Sequence, residues 1–324
     1  MNMSCKVGVT LGDPAGIGPE IVAKSLSALQ ENSRDIMLIG NRRNFSHVLE
    51  ELGIGDKIAS KFQFMDIKPA TGNIPPGKVS PIAGDIAVKS IEAAVKLAME
   101  GQITGICTAP INKEAIIQAG SRYIDHTEML AGLTGSSEVT TVFETRKLRI
   151  LFLSKHLSLK QAIESITEGS VRKYIGLSDF ALKMLGVENR KIAVAALNPH
   201  GGENGLFGSE EKDILVPAIE KEASRYKVSG PYPADSVFHR AAEGEFGIVL
   251  SLFHDQGHIA AKMYDFHRTV SMNIGLPFLR TSVDHGTAFE IAGKWIANET
   301  GMAEAIKKAL AYSGKYRENY LGKA

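Results

Sequence analysis

The chain has little cysteine: two in 324 residues. Cys5 and Cys107 stand far apart, in neither a metal-binding nor a redox spacing. That excludes a disulfide scaffold and fits a reducing compartment. An excess of charge of one sign is also missing. Lys and Arg number 37 against 36 Asp and Glu, a net charge of +1. No nucleic-acid footprint or membrane-binding face is indicated. No apolar run is long enough to span a bilayer. The opening "MNMSCKVGVTLGD" has no signal-peptide apolar core. Repeats, low-complexity tracts and long linkers are absent as well, so composition marks no domain boundary. The expectation is a soluble cytoplasmic protein with no nucleic-acid or membrane partner. Its 44% hydrophobic content and its length suffice for two domains.

What is present is an alternation. Short β-branched runs read as buried strands: Lys6–Gly12, Ile36–Gly40, Ile103–Ala109, Leu148–Ser154, Lys191–Leu197 and Gly247–Phe253. Between them "PEIVAKSLSALQ", "GDIAVKSIEAAVKLAME" and "EEKDILVPAIEKEASRY" read as helices, with Pro19 suited to a first helical position. The Pro/Gly-rich stretch Lys68–Asp85 reads as a surface loop. Alternating β and α predicts an α/β fold with a largely parallel sheet.

Polar residues gather where these strands end: Asp13, then Asn112 with Lys113, His156, His200, and His254 with Asp255. Open α/β sheets bind ligands outside the carboxyl ends of their strands. His156, His200 and His254 each follow an apolar strand by one to three residues. Any one alone reads as a loop histidine. Converging, three imidazoles bind a divalent cation and leave positions for substrate. His258, four residues after His254, is the weaker ligand candidate.

Three further stretches suit anions. "GDPAGIGPE" (Gly12–Glu20) is a glycine-rich strand-to-helix turn that matches neither the Walker nor the full Rossmann spacing. "DHTEML" pairs Asp125 with Glu128 as in a capping box, which puts His126 and Thr127 on a first helical turn. "LPFLRTSVDHGTAFEIAGK" joins Arg280, Asp284 and His285 to a further glycine turn. Arg280 there can clamp a phosphate or carboxylate.

Together "TLGDPAGIGPE", "DHTEML", "LNPHGGENGLFGSEE", "PADSVF", "FHDQG" and "LPFLRTSVDHGTAFEIAG" resemble the 4-hydroxythreonine-4-phosphate dehydrogenase family, in order over nearly the whole chain. The resemblance implies two α/β domains with a central cleft, similar to the isocitrate and isopropylmalate dehydrogenase fold. It places a cofactor-side domain at 1–125 plus 270–324 and a metal-binding, dimerising domain at 126–269. It implies a homodimer whose active site is shared between subunits, and a divalent metal (Zn, Co, Mg or Mn) on His156, His200 and His254, one of them from the second subunit. Substrate binding falls to His126, Thr127, Lys262, Arg280 and Ser271, with Lys262 and Asp235 in catalysis. NAD, or NADP, is expected along Gly12, Asp13, Asp284, His285, Gly286 and Thr287. One departure stands out. The family's "VNITLGLP" reads "VSMNIGLP" here, so Ser271 replaces its substrate-contacting asparagine and Asn273 lies two residues on.

That change, with "HIAAKMYDFHRTVS", looks more like the branch acting on D-threonate or D-erythronate 4-phosphate. The implied reaction oxidises the 3-hydroxyl and then decarboxylates to dihydroxyacetone phosphate. Rival readings are the vitamin B6 pathway enzyme itself, a dihydrodiol carboxylate dehydrogenase, a phosphate acyltransferase of related architecture, and a non-catalytic nucleotide sensor.

Overall fold

In this computed structural model residues 6–68 and 73–322 are described. Cys5 and residues 69–72 of the expected surface loop lie outside them. Eleven strands follow in chain order: β1 (Val7–Thr10), β2 (Ile36–Gly40), β3 (Gln63–Asp66), β4 (Gly105–Thr108), β5 (Thr140–Thr145), β6 (Leu148–Phe152), β7 (Ile192–Ala195), β8 (Val228–Tyr232), β9 (Ile248–Ser251), β10 (Thr269–Ile274) and β11 (Leu279–Val283). All six expected strands form. The chain divides into two α/β units, Met1–Val139 with Val270–Ala324, and Thr140–Thr269. His126 and Thr127 therefore belong to the first unit.

In the first unit the strands run β3-β2-β1-β4-β11-β10. All pair in parallel except β10 with β11. Its core is mostly aliphatic, built from Ile39, Ile91, Ile106, Leu130, Leu276 and Phe278 among others. Each such side chain contributes roughly 1.5–3 kcal/mol on burial. Tyr316 is fully buried, and its hydroxyl donates to Leu276 O and accepts from Gly275 N at 3.0 and 2.8 Å. It braces the turn joining β10 to β11, where Gly275 takes φ +108°. The register then sets Ser271 against Ser282 and Asn273 against Arg280.

The second unit orders its strands β5-β6-β9-β7-β8, parallel except for β5 with β6. Its core centres on Phe143, Ile150, Phe152, Val237, Phe238 and Val249.

Two expectations need correction. The loop assigned to Lys68–Asp85 ends at Ser80, because the helix begins at Pro81 and runs to Met99. Ser80 Oγ accepts from Ala83 N at 3.4 Å, so serine caps and proline starts the helix. The helix expected over Glu210–Tyr226 is interrupted: a π turn at Glu211–Leu215 precedes an α-helix at Val216–Glu222. Pro217 has no N–H to donate within it.

Candidate functional site

In the first unit β1 is flanked by β2 and β4, so the connections from β1 and β4 leave in different directions. The loops past their carboxyl ends meet: Asp13 N donates to Pro110 O at 2.9 Å. Asp13 is wholly buried. Its Oδ1 accepts from Ala15 N at 2.8 Å, while Oδ2 has no hydrogen-bond partner. Burial pushes its pKa up to about 6, against backbone N–H donation from Ala15 and Asn112.

The loop after β11 packs on the same turn. Ile17 N donates to Thr287 O at 3.0 Å. A Cβ on Gly16 would lie 2.9 Å from Thr287 Cβ, so only glycine fits. The two stretches expected to hold the cofactor, Gly12–Asp13 and Asp284–Thr287, are thus joined in one unit. His285 and Gly286 are exposed, and a Cβ on Gly286 would meet nothing within 4 Å. Open backbone beside a strand-to-helix turn suits a dinucleotide.

Arg280 is 6% exposed. Nε and Nη2 both donate to Thr108 Oγ1, at 3.0 and 2.7 Å, and Nη1 donates to Asn273 Oδ1 at 2.9 Å. Among the described residues no carboxylate forms an ion pair with it. Burial lowers its pKa to about 10, partly opposed by charge at Cys107 and Asp125. It remains a cation at neutral pH. Asp125 caps the helix His126–Thr134 by accepting from Glu128 N at 3.0 Å. The capping box is not closed as expected, because Glu128 Oε2 accepts from Ile124 N at 2.8 Å. His126, first in that helix, has Nε2 shielded from solvent with no hydrogen-bond partner. Burial first, and the Arg280 charge second, hold its pKa well below the usual imidazole range. A neutral imidazole with a spare nitrogen and a cation with no ion-paired carboxylate among the described residues have the chemistry to receive an anion. Thr127 follows on the same turn. Ser271 Oγ donates to Ser282 O at 3.3 Å.

In the second unit His156, His254 and His200 leave the carboxyl ends of β6, β9 and β7, three neighbouring parallel strands. His156 and His254 come together, with ring centroids 6.5 Å apart. They line a cavity of about 260 Å³ with Lys155 and Asp255. His254 opens the helix His254–Asp265, and its Nδ1 lies 2.6 Å from Asp255 Oδ1. Gln256 Nε2 donates to Ala196 O at 2.7 Å and its Oε1 accepts from Leu252 N at 2.8 Å, tying β9 to the end of β7. Gly257 packs so tightly that a Cβ would sit 2.6 Å from the Phe152 ring. His258 stacks on Phe152 at 4.5 Å between centroids and is 7% exposed, so its ring serves the core. Lys262 lies two turns past His254, partly buried, with Nζ 5.6 Å from the Phe266 ring centre. Asp235 is exposed in the first turn of Ala234–Ala242, where the helix dipole favours a carboxylate.

His200 stands apart. Residues 200–204 are consecutively left-handed, His200 at φ 53° and Glu203 at φ 41°. Left-handed backbone costs about 1–2 kcal/mol at each non-glycine residue. Glu211 holds the base of this loop: Oε1 accepts from Leu197 N and Asn198 N at 2.8 and 2.7 Å, and Oε2 from Asn198 Nδ2 at 2.8 Å. Burial pushes the Glu211 pKa up, but N–H donation from Asn198, Leu197 and its own backbone outweighs this and holds it below the usual value. The His200 ring is displayed, 65% exposed, with Nδ1 2.7 Å from Glu203 Oε1. Among the described residues of the single chain no three His, Cys, Asp or Glu side chains converge to hold a metal. The donor chemistry nonetheless fits a divalent cation. In His200 and His254 a carboxylate engages Nδ1, which leaves Nε2 as the nitrogen available to a metal.

Sequence reasoning missed Thr108, Asn273 as a partner of Arg280, Glu211 and Gln256. A threonine ending the apolar run "GICT" and paired acids closing "GSEE" were the available signals.

A family model described as Pyridoxal phosphate biosynthetic protein PdxA matches residues 19–309. A protein of Symbiobacterium thermophilum, named provisionally as a D-threonate 4-phosphate dehydrogenase, is 46% identical, over 96% of this chain and 97% of its own. A Clostridium botulinum protein of the same name is 44% identical over 96% and 98%. The crystal structure of 4-hydroxythreonine-4-phosphate dehydrogenase from Klebsiella pneumoniae aligns with a TM-score of 0.85 at 39% identity, covering 97% of this chain and 99% of that one.

Proposed function

The chain belongs to the PdxA family, and from that premise we propose that it oxidises the 3-hydroxyl of D-threonate or D-erythronate 4-phosphate and then decarboxylates the product to dihydroxyacetone phosphate. That it is an oxidoreductase acting on a CH–OH group follows from its dehydrogenase relatives. The observation that carries the substrate class is Arg280: a buried guanidinium held only by neutral acceptors. Burying an unpaired charge costs several kcal/mol, and an anionic ligand offsets that cost. The names of the 44–46% identical relatives favour the sugar-acid phosphates.

In this reading Arg280, His126 and Thr127 hold the phosphate or carboxylate end, and Ser271 contacts the substrate. His156, His200 and His254 hold the divalent cation, one of them from a second copy of the chain. Gly12, Asp13, Asp284, His285, Gly286 and Thr287 lie along NAD. The chemistry these two groups would supply when bound is Lewis-acid stabilisation of the ionising hydroxyl and acceptance of the hydride from the carbon that bears it. Lys262 delivers a proton to the carbon that carbon dioxide leaves. Asp235 orients that end of the substrate. A homodimer is supported by exposed apolar side chains in the second unit: Leu206, Ile259, Met263 and Phe266 are each more than 60% exposed. Three of these, Ile259, Met263 and Phe266, fall at i, i+4 and i+7 along one helical run, a spacing that can build an exposed apolar face for association.

The second reading, oxidation of 4-hydroxythreonine 4-phosphate, rests on the name of the Klebsiella enzyme. Ser271 and Asn273 carry no charge to pair with its ammonium. A panel of the two aldonate phosphates and 4-hydroxythreonine phosphate, with NAD or NADP and added divalent cations, separates the two by NADH formed and carbon dioxide released. Turnover of the aldonates at least tenfold above the amino acid is expected; the reverse preference overturns the proposal.

A further inference from the structure

Strand geometry decides what the shifted asparagine does. Side chains alternate faces with period two, so 271 and 273 project from the same face of β10. Moving an amide from one to the other shifts it by two cross-strand pairs, from opposite Ser282 to opposite Arg280. There it accepts from Nη1 at 2.9 Å, while Thr108 Oγ1 takes Nε and Nη2. Asn273 is 1% and Thr108 0% exposed, so neither acceptor exchanges readily with water. A guanidinium has five N–H donors, and these bonds use three: Nε–H, one at Nη1 and one at Nη2. One N–H on each terminal nitrogen remains, with the plane of the fork already set. A carboxylate at 273 would bind Arg280 more strongly, through a charge-assisted contact. It would also cancel the charge that a phosphate needs.

We propose that Asn273 is a positioning residue for substrate binding: with Thr108 it fixes the Arg280 guanidinium while leaving it a net cation, and it thereby sets selectivity for a doubly charged phosphate. The inference rests on the reading of Arg280 as the anion receptor. The neutral amide keeps the receptor strong at the expense of a stronger internal ion pair. Sites of function commonly give up stability in this way.

The test uses the full-length protein with inorganic phosphate as probe, read by calorimetry and by thermal shift, beside steady-state kinetics on D-threonate 4-phosphate. Asn273→Asp is expected to unfold at or above the parent temperature yet bind phosphate at least tenfold more weakly. Its KM should rise in parallel, with kcat within threefold. Asn273→Ser, which keeps the charge but is too short to reach Nη1, should weaken phosphate about threefold, and it decides the matter should the aspartate variant fail to fold. A merely structural asparagine gives the opposite pattern, lower unfolding temperature with phosphate binding unchanged, and that result overturns the inference. Arg280→Ala separates the two levels. If it weakens phosphate while both Asn273 variants bind as the parent does, only the positioning role falls. If Arg280→Ala itself binds phosphate normally, the receptor reading falls and this inference with it.

Discussion

The two units hold their polar residues in opposite ways. In the first, Arg280, Asp13, Thr108 and Asn273 are buried and, Asp13 Oδ2 apart, anchored by neighbours that leave little freedom. In the second, His156 and His200 stand exposed on irregular backbone and His254 is 44% exposed at a helix start. Rigid burial fixes geometry before a ligand arrives and so cuts the entropy lost on binding. On the proposed reading, displayed imidazoles would be ordered by a cation and a second copy of the chain. On that reading the first unit recognises and the second is completed.

The largest expected effect tests that division directly. His254→Ala should reduce cation-dependent turnover by about 1,000-fold, the scale of losing a metal's charge stabilisation. Stability should change by no more than about 0.5 kcal/mol, as for most surface substitutions. Arg280→Ala should instead raise KM about 100-fold for phosphorylated substrate, the loss of a buried charge-assisted pair. Its kcat should still respond to added cation as the parent's does. Kinetics over a cation titration, with chemical denaturation of both variants, check this. If Arg280→Ala abolishes the cation response, the two units do not divide the work as described.

The contrast sharpens in acid titrations, where the buried carboxylates have opposite signs. Asp13 is raised from 3.8 to about 6. Its contribution is fully present below the unfolded value and is lost as pH rises through about 6. That shift of roughly two pH units corresponds to about 3 kcal/mol at most. Glu211 is lowered, so its contribution is present above 4.5 and is lost as pH falls through the folded value. Asp13→Asn should remove the decline between about pH 4 and 6 and leave the variant more stable than the parent at pH 8. Glu211→Gln should weaken the protein at pH 8 and flatten the acid limb. Urea denaturation at a series of pH values reads both. An Asp13→Asn variant that still declines between pH 4 and 6 would exclude Asp13 as the cause.

Legibility in the sequence follows the same division. Apolar runs announced β1, β2, β4, β6, β7 and β9, because a strand buried on both faces is a continuous hydrophobic stretch. "LRTSV" and "TVSMNI" escaped because their polar residues mimic a surface loop. Those residues form the buried ladder that holds Arg280. The family resemblance was readable from six motifs, and the family model match bears it out. The helix start at Pro81 was overlooked because Ser-Pro within a glycine- and proline-rich stretch reads equally as a turn. Partners distant in sequence, such as Asn273 with Arg280 across strands or Glu211 with Leu197 through a loop, depend on register and loop path, which no local pattern encodes. The left-handed run at 200–204 was foreshadowed only by its glycines.

The smallest expected effect probes how the displayed histidines are oriented. Glu203 and Asp255 each sit at the Nδ1 of their histidine, at 2.7 and 2.6 Å. A carboxylate there fixes the tautomer and raises the basicity of the opposite nitrogen, and its loss costs about 10–100-fold in metal affinity. Both pairs are solvent-exposed, so screening places the effect at the lower end. Glu203→Gln and Asp255→Asn should each weaken Zn²⁺ or Co²⁺ binding by about tenfold, roughly 1.4 kcal/mol, measured by calorimetry on the unliganded protein. Phosphate binding should not move, because its proposed receptor residues lie in the first unit. Equal loss of cation and phosphate affinity in either variant would mean that the buried and the displayed residues are coupled before any substrate is present.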